Sequence, residues 1–316
     1  MGYFNTRILN PDDAVKAFIA EWENGNDYVT AHTSGSTGVP KDIRLKKADM
    51  WRSAQATNKF FNICGGDVLR CPLSCNYIAG KMMAVRALAA DATVDFARDI
   101  STTGMSDIKL MSVVPAQIDH LLEDYGNVNR IENLLIGGSP LSGRMERRLI
   151  ESGVNAYISF GMTETCSHIA IRKCGDDHYT TLPGIEVSND ERGCLVVNAP
   201  EFTFNGIVTN DVIELVSGRK FRWLGRYDNA IISGGVKVFA ETIESKLRGI
   251  IPAGVNYYIT WEPHERWGQS VVLVVDSPIE IDRSALQCLS PAERPKKVIT
   301  ANITFTDSGK VRRLKP

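Results

Sequence analysis

Val154-Asn155-Ala156-Tyr157-Ile158-Ser159-Phe160-Gly161-Met162-Thr163-Glu164-Thr165 is the stretch on which the reading of this chain turns. Val154 to Phe160 is β-prone and ends at a glycine, as a buried strand does before a loop. Thr163 and Glu164 then emerge at the strand's carboxyl edge. A hydroxyl and a carboxylate there suit a phosphate oxygen and a Mg²⁺, whose hard charge prefers oxygen ligands. The same residues read equally as a helix start with Thr163 as its cap.

Working outward, the pattern repeats. Leu134-Leu135-Ile136 runs into Gly137-Gly138-Ser139, and a helix carrying Met145 and Leu149 follows. Ile108 to Pro115 precedes a helix through Leu122. Such alternation predicts an α/β sheet covered by helices, with ligands at the carboxyl ends of its strands. Near the start, Asn10-Pro11-Asp12-Asp13 reads as a capped helix start, with Val15, Phe18, Ile19 and Trp22 at helical spacing and Gly25 as a stop. Tyr28 to Thr33 is a short strand.

Downstream, residues 185–224 predict a small β-rich subdomain, with short runs such as Leu195-Val196-Val197 and Phe221-Arg222-Trp223 separated by turn residues. A boundary is expected near 226–229, dividing a core domain (1–225) from a smaller α+β lid (226–316). The lid is expected to hold a helix (Glu241 to Leu247), strands at Tyr257 to Trp261 and Val271 to Val275, and a final strand pair.

The chain has 316 residues, 43% hydrophobic, with a formal net charge of −1, enough for a substantial core and more than one domain. No block of Lys and Arg points to nucleic acid or a charged membrane surface. No apolar run is long enough to span a bilayer and no secretory leader is evident, so a cytoplasmic protein is expected. The 7 cysteines are odd in number and scattered, which favours reduced thiols. Cys71 and Cys75 lie close together without a second pair at metal spacing and read as small buried hydrophobes.

Three more segments carry chemistry. Thr33-Ser34-Gly35-Ser36-Thr37-Gly38-Val39-Pro40-Lys41 gathers four hydroxyls, two glycines and a cation in nine positions, all suited to phosphate. Its spacing is not that of a Walker loop, and a polar surface turn is the alternative. Gly225-Arg226-Tyr227-Asp228-Asn229, with Ile232-Ser233-Gly234-Gly235-Val236-Lys237, suits either a hinge beside a ligand or a plain linker. Thr306 to Arg313 is a turn bearing Lys310 which, taken alone, reads as a solvated terminal turn.

In this order and spacing the four segments resemble the adenylate-forming superfamily of acyl- and aryl-CoA synthetases, from Thr33 to the end of the chain. Asn210-Asp211 and Trp267-Gly268-Gln269 add weaker matches. The resemblance implies a large α/β domain with a β-rich subdomain and a mobile lid. It implies ATP, Mg²⁺ and coenzyme A as cofactors, a small carboxylic acid as substrate, and AMP-forming thioester synthesis. A homodimer stays open as the assembly.

Carried over residue by residue, Thr33, Ser34, Gly35, Ser36, Thr37, Gly38 and Lys41 would hold the β- and γ-phosphates. Gly137, Gly138, Ser139, Ser159, Phe160, Gly161 and Met162 would border the adenine and the acyl pocket. Thr163 would touch the α-phosphate and Glu164 would hold Mg²⁺. Asp211 and Arg226 would grip the ribose, Asp228 would be the hinge, and Gly234 and Gly235 would line the pantetheine path. Lys310 would bridge the substrate carboxylate and the phosphate. The chain departs from the pattern in having one helix and one strand before Thr33, where the superfamily has a whole subdomain, so a compact variant is expected. Ala240 and Thr242 stand where Pro and Glu are usual.

Pro72 to Met82 and Thr163 to Ala170 are similar to o-succinylbenzoate–CoA ligases of menaquinone biosynthesis, with two extra residues between Leu73 and Tyr77. Tyr77 would then border an aryl pocket. Lys81, Arg86 or His168 would meet the second carboxylate of such a substrate, and the sequence does not choose among them.

Overall fold

Helix α1 (Asp13–Glu23) starts two residues later than its sequence suggests, because Asp12, not Asn10, caps it by accepting from the Val15 amide at 2.9 Å. Asn10 instead adopts a left-handed backbone conformation and donates to Asp95. Val15, Phe18 and Trp22 are the buried stripe of α1. The computed structural model describes residues 7–32, 42–102, 107–123, 128–141, 143–252, 254–282, 284–305 and 311–313. The segments 33–41 and 306–310, with the expected phosphate-loop residues and Lys310, lie outside the described residues.

Two compact units make up the chain. The first comprises Met1–Leu141, Met145–Val187 and Val197–Ile207; the second comprises Ser142–Arg144, Ser188–Val196 and Val208–Pro316. The position 225/226 falls inside the second unit.

In the first unit, six strands run parallel: β1 (Ile8–Leu9), β4 (Val68–Arg70), β5 (Thr93–Asp95), β6 (Leu110–Val113), β7 (Leu134–Ile136) and β8 (Ala156–Gly161). Their order is β1-β5-β4-β6-β7-β8, continued by β9 (His168–Lys173) and β10 (Tyr179–Thr181), both antiparallel to their predecessors. Strands β6 and β7 are buried on both faces, which is why they read as unbroken apolar runs. A separate hairpin pairs β2 (Tyr28–His32) with β3 (Asp42–Lys46), His32 opposite Asp42, and brackets residues 33–41.

Helices α2 (Lys47–Phe61), α3 (Ile78–Ala90), α4 (Ile118–Glu123) and α5 (Gly143–Glu151) complete this unit. Leu149 of α5 joins Met111, Leu134, Ile136 and Ile158 in one core cluster. The expected helix after Gly137-Gly138 is present. Helix α2 leaves a weak sequence signal: its buried side chains include Asp49, Thr57 and Asn58 beside Met50, Ala54 and Phe61, so polarity does not mark its inner face. Cys71 and Cys75 are free and buried, and burial pushes the Cys71 thiol up to about 12.

The second unit holds β13 (Val208–Ser217) paired antiparallel with β14 (Lys220–Arg226), and β12 (Cys194–Asn198) beside β13; β11 (Glu186–Asn189) neighbours β12. A second sheet has the order β16-β15-β18-β17, from β15 (Ala230–Ser233), β16 (Val236–Phe239), β17 (Tyr257–His264) and β18 (Gly268–Val275), with β19 (Lys297–Thr300) parallel to β18. Helix α6 (Ala240–Leu247) adds Ile243 and Leu247 to the core formed by Ile231, Ile259 and Leu273. Among the described residues no helix is long and apolar enough to cross a membrane.

Candidate active site

In the first unit the expected site residues gather at the carboxyl ends of the parallel strands, where an α/β sheet binds ligands. Gly137 and Ser159 follow and occupy neighbouring strands, and the Ser159 hydroxyl donates to the Ile136 carbonyl at 3.0 Å. A Cβ on Gly137 would lie 2.6 Å from that hydroxyl oxygen, so any larger residue there would displace the Ser159 hydroxyl from its bond to Ile136. Gly138 turns with φ at +91°. Gly161 is held as tightly: a Cβ would come 2.3 Å from the Ser167 carbonyl oxygen. The β8–β9 connection is therefore drawn close against its own backbone.

That connection is a 3₁₀ turn over Thr163–Thr165. Thr163 is not its cap. Thr165 closes the turn, its hydroxyl donating to the Ser167 carbonyl at 2.8 Å and accepting from the Met162 amide at 3.1 Å. The Thr163 hydroxyl and the exposed Glu164 carboxylate have no side-chain partner among the described residues. Glu164 also borders an open cleft with Arg44, Lys46, Asp49 and Thr203, so the strand that returns from residues 33–41 runs beside the Thr163–Thr165 turn.

The candidates for a second carboxylate separate clearly. Helix α3 is buried almost all round and carries two cations, Lys81 and Arg86. Lys81 is answered locally: its ammonium meets Glu21 of α1 at 3.1 Å and donates to the Thr30 carbonyl at 3.0 Å. Arg86 is 2% exposed, and among the described residues it faces no carboxylate. Its Nη2 donates to the Ser167 hydroxyl at 2.9 Å and lies 3.4 Å from His168 Nδ1, its Nη1 meets Met83 Sδ at 3.4 Å, and its Nε has no partner. Burial pulls the guanidinium down to about 10. A charge so placed costs several kcal/mol unless an anion joins it. Tyr77 is 60% exposed, just before α3.

His168 is buried with both ring nitrogens engaged, Nδ1 by the Ser167 hydroxyl at 3.2 Å and by Arg86, and Nε2 by the Thr57 hydroxyl at 3.1 Å. Thr57 left no mark in the sequence as a functional residue, being a polar position inside a helix. Burial, then the Arg86 charge, hold the imidazole well below its ordinary value of 6.5. Between the depressed value and 6.5 only the unfolded chain takes up this proton, so stability is intact above 6.5 and lost as pH falls below it. Urea midpoints measured from pH 8 to pH 4 should decline on the acid side, and His168→Asn should remove that part of the decline.

In the second unit, Asp211 and Arg226 stand opposite each other across β13 and β14. Arg226 reaches Asp211 at 3.5 Å and Asp228 at 3.1 Å, while the Trp223 indole donates to Asp211 at 3.0 Å. The expected ribose pair and the expected hinge residue thus form one cluster. Gly225 before them has φ at +147°, which favours glycine, and a Cβ there would also lie 3.2 Å from Phe239 Cβ. Glu241 accepts from Asn229 at 2.5 Å, and Thr242 donates to the Leu224 carbonyl. Gly234 and Gly235 have φ of +60° and +80° and form the two-residue turn joining β15 to β16, a geometry that favours glycine.

Comparison with known proteins identifies the family and the fold. The sequence pattern of the AMP-binding enzyme family matches residues 9–198. The 2-succinylbenzoate–CoA ligase of Enterococcus faecalis is 25% identical over 89% of this chain and 67% of its own length. The solved structure of an AMP-forming acyl-CoA synthetase/AMP-acid ligase II-like protein from Dyadobacter fermentans is 30% identical, covers 94% of this chain and 91% of its own, and has a TM-score of 0.64. The o-succinylbenzoate–CoA synthetase of Bacillus subtilis, solved with ATP and magnesium ion, has the same fold at 20% identity, with a TM-score of 0.73 over 89% of this chain and 68% of its own. With its family pattern lying across the parallel strands and the β8–β9 turn that gather the candidate residues, the chain belongs to the AMP-binding enzyme family.

Proposed function

We propose that the chain is an AMP-forming acid–CoA ligase whose acid is an aromatic dicarboxylate, o-succinylbenzoate. The observation that carries the substrate reading is Arg86: a buried guanidinium, hydrogen-bonded to Ser167 just after the Thr163–Thr165 turn, with no carboxylate facing it among the described residues. A dicarboxylic acid brings one carboxylate to react and a second to be recognised. The names of the curated relatives support the same reading.

In the first step a carboxylate oxygen of the acid attacks the α-phosphorus of ATP, forming an acyl-adenylate and releasing pyrophosphate. Both partners are anionic, so the chain's task is to position them and offset charge. Thr33, Ser34, Ser36, Thr37 and Lys41 hold the β- and γ-phosphates in this reading, the uncommitted Thr163 hydroxyl binds the α-phosphate, and Asp211 and Arg226 bind the ribose. Glu164, an exposed carboxylate with no partner among the described residues, fits a hard oxygen-binding cation such as Mg²⁺. Bound there, that ion offsets phosphate charge. Lys310 neutralises the charge developing between carboxylate and phosphate. In the second step the thiol of CoA attacks the acyl carbon, AMP leaves, and the thiol proton goes to solvent. Asp228 is the hinge between the two steps, and Gly234 and Gly235 line the thiol's approach.

A coupled pyrophosphate-release assay with ATP, Mg²⁺ and a panel of acids, with and without CoA, tests this. Selective turnover of o-succinylbenzoate, with AMP and a thioester as products in the presence of CoA, is the expected result. Turnover of another acid would keep the mechanism and remove the substrate. ATP binding without pyrophosphate release from any acid would remove the enzyme reading.

A further inference from the structure

Three elements converge on Arg86: α3, which carries it; α2, which carries Thr57; and the first residue of β9, His168. The direction of every hydrogen bond in this cluster follows from chemistry. A guanidinium donates and never accepts, so His168 Nδ1, 3.4 Å from Arg86 Nη2, is the acceptor and carries no proton. The ring proton then sits on Nε2 and is donated to the Thr57 hydroxyl at 3.1 Å. Thr57 in turn donates to the Ser53 carbonyl at 3.0 Å, one turn back along α2. Ser167 completes the bracket: its hydroxyl accepts from the same Nη2 at 2.9 Å and donates to His168 Nδ1 at 3.2 Å, so the imidazole holds Arg86 both directly and through Ser167. Asn58 of α2 fixes the backbone from the other side, donating to the Arg86 carbonyl at 2.8 Å.

We infer that His168 is a positioning residue for the acid substrate: anchored by Thr57, it orients the Arg86 guanidinium so that the donors it leaves uncommitted meet the second carboxylate. It acts through Arg86 and does not itself contact the acid. Both of its nitrogens are occupied, which removes it from the set of direct carboxylate donors that the sequence left open. The bracket also sits on the hairpin that carries Thr163 and Glu164, so one short connection sets both the phosphate-facing residues and the acid-facing cation. Only the neutral imidazole can do this, because a protonated ring would set a second cation against Arg86.

The inference rests on the reading of Arg86 as the contact for that carboxylate, and two measurements keep the two apart. The first compares o-succinylbenzoate with its analogue lacking the ring carboxylate. His168→Leu should raise KM for the dicarboxylate about tenfold, leaving KM for ATP and kcat/KM for the analogue unchanged. His168→Asn, whose Oδ1 falls where Nδ1 does and accepts from Arg86, should restore KM to within about threefold of the parent. Equal losses on both acids, or no loss on either in a parent that discriminates them, would overturn the assignment. The second is ¹⁵N NMR of the Arg86 guanidinium, which should rotate slowly in the parent and faster in His168→Leu and Thr57→Val. Unchanged rotation would overturn positioning whatever the acid. A parent that treats both acids alike would remove the carboxylate reading, and the rotation rates would still decide whether His168 orients Arg86.

Discussion

Lys310→Ala is expected to reduce acyl-adenylate formation by about 10²–10³-fold while thioester formation from a supplied acyl-adenylate and CoA stays within a few-fold of the parent. The asymmetry follows from the charges involved. Adenylation brings a carboxylate against a polyphosphate, and a point charge placed between them acts where repulsion is greatest and negative charge develops. Thioester formation attacks a neutral acyl carbon and expels AMP, so it has no comparable anion–anion encounter. Separate assays of the two half-reactions, pyrophosphate release for one and AMP release for the other, decide the matter. Equal loss of both would show that Lys310 acts on the fold or on both steps, and the assignment would fall.

Arg86→Met should separate activity from stability in the opposite sense. With o-succinylbenzoate, kcat/KM is expected to fall by about 10²-fold, because a charge-assisted and desolvated contact is lost. Thermal or urea stability should be unchanged or raised, by up to about 4 kcal/mol, since a buried guanidinium without an acidic partner is replaced by an apolar chain of similar length. Most core substitutions lower both quantities together. A variant that loses stability and activity in parallel would show Arg86 to be a packing residue, and one with unchanged kcat/KM would show that the second carboxylate is met elsewhere. Lys81 makes the contrast: its charge is already met by Glu21, so Lys81→Met leaves a carboxylate unpaired and should destabilise.

The sequence on its own determined the sheet and the strand ends at which its candidate residues gather. Strands β6 and β7 are buried on both faces, and that requirement writes an apolar run into the sequence whatever surrounds it. The glycines at 137, 138 and 161 stop those runs where the backbone turns or approaches a neighbour closely. Asp211 and Arg226 were legible by motif and prove to be cross-strand partners.

Tertiary structure alone decided the rest. Asp12 rather than Asn10 caps α1, a choice between neighbouring polar residues that the bond to Asp95 settles. Helix α2 hid because it buries Thr57 and Asn58, which bond across to β9 and α3 rather than marking an apolar stripe. Among Lys81, Arg86 and His168 the sequence offered three equal donors. Their difference lies wholly in what faces them: Glu21, 60 residues away, meets Lys81, while Arg86 and His168, 82 apart, meet each other. Charge is written in a residue's identity, but whether that charge is already neutralised is a property of distance in space, and only the folded chain sets it.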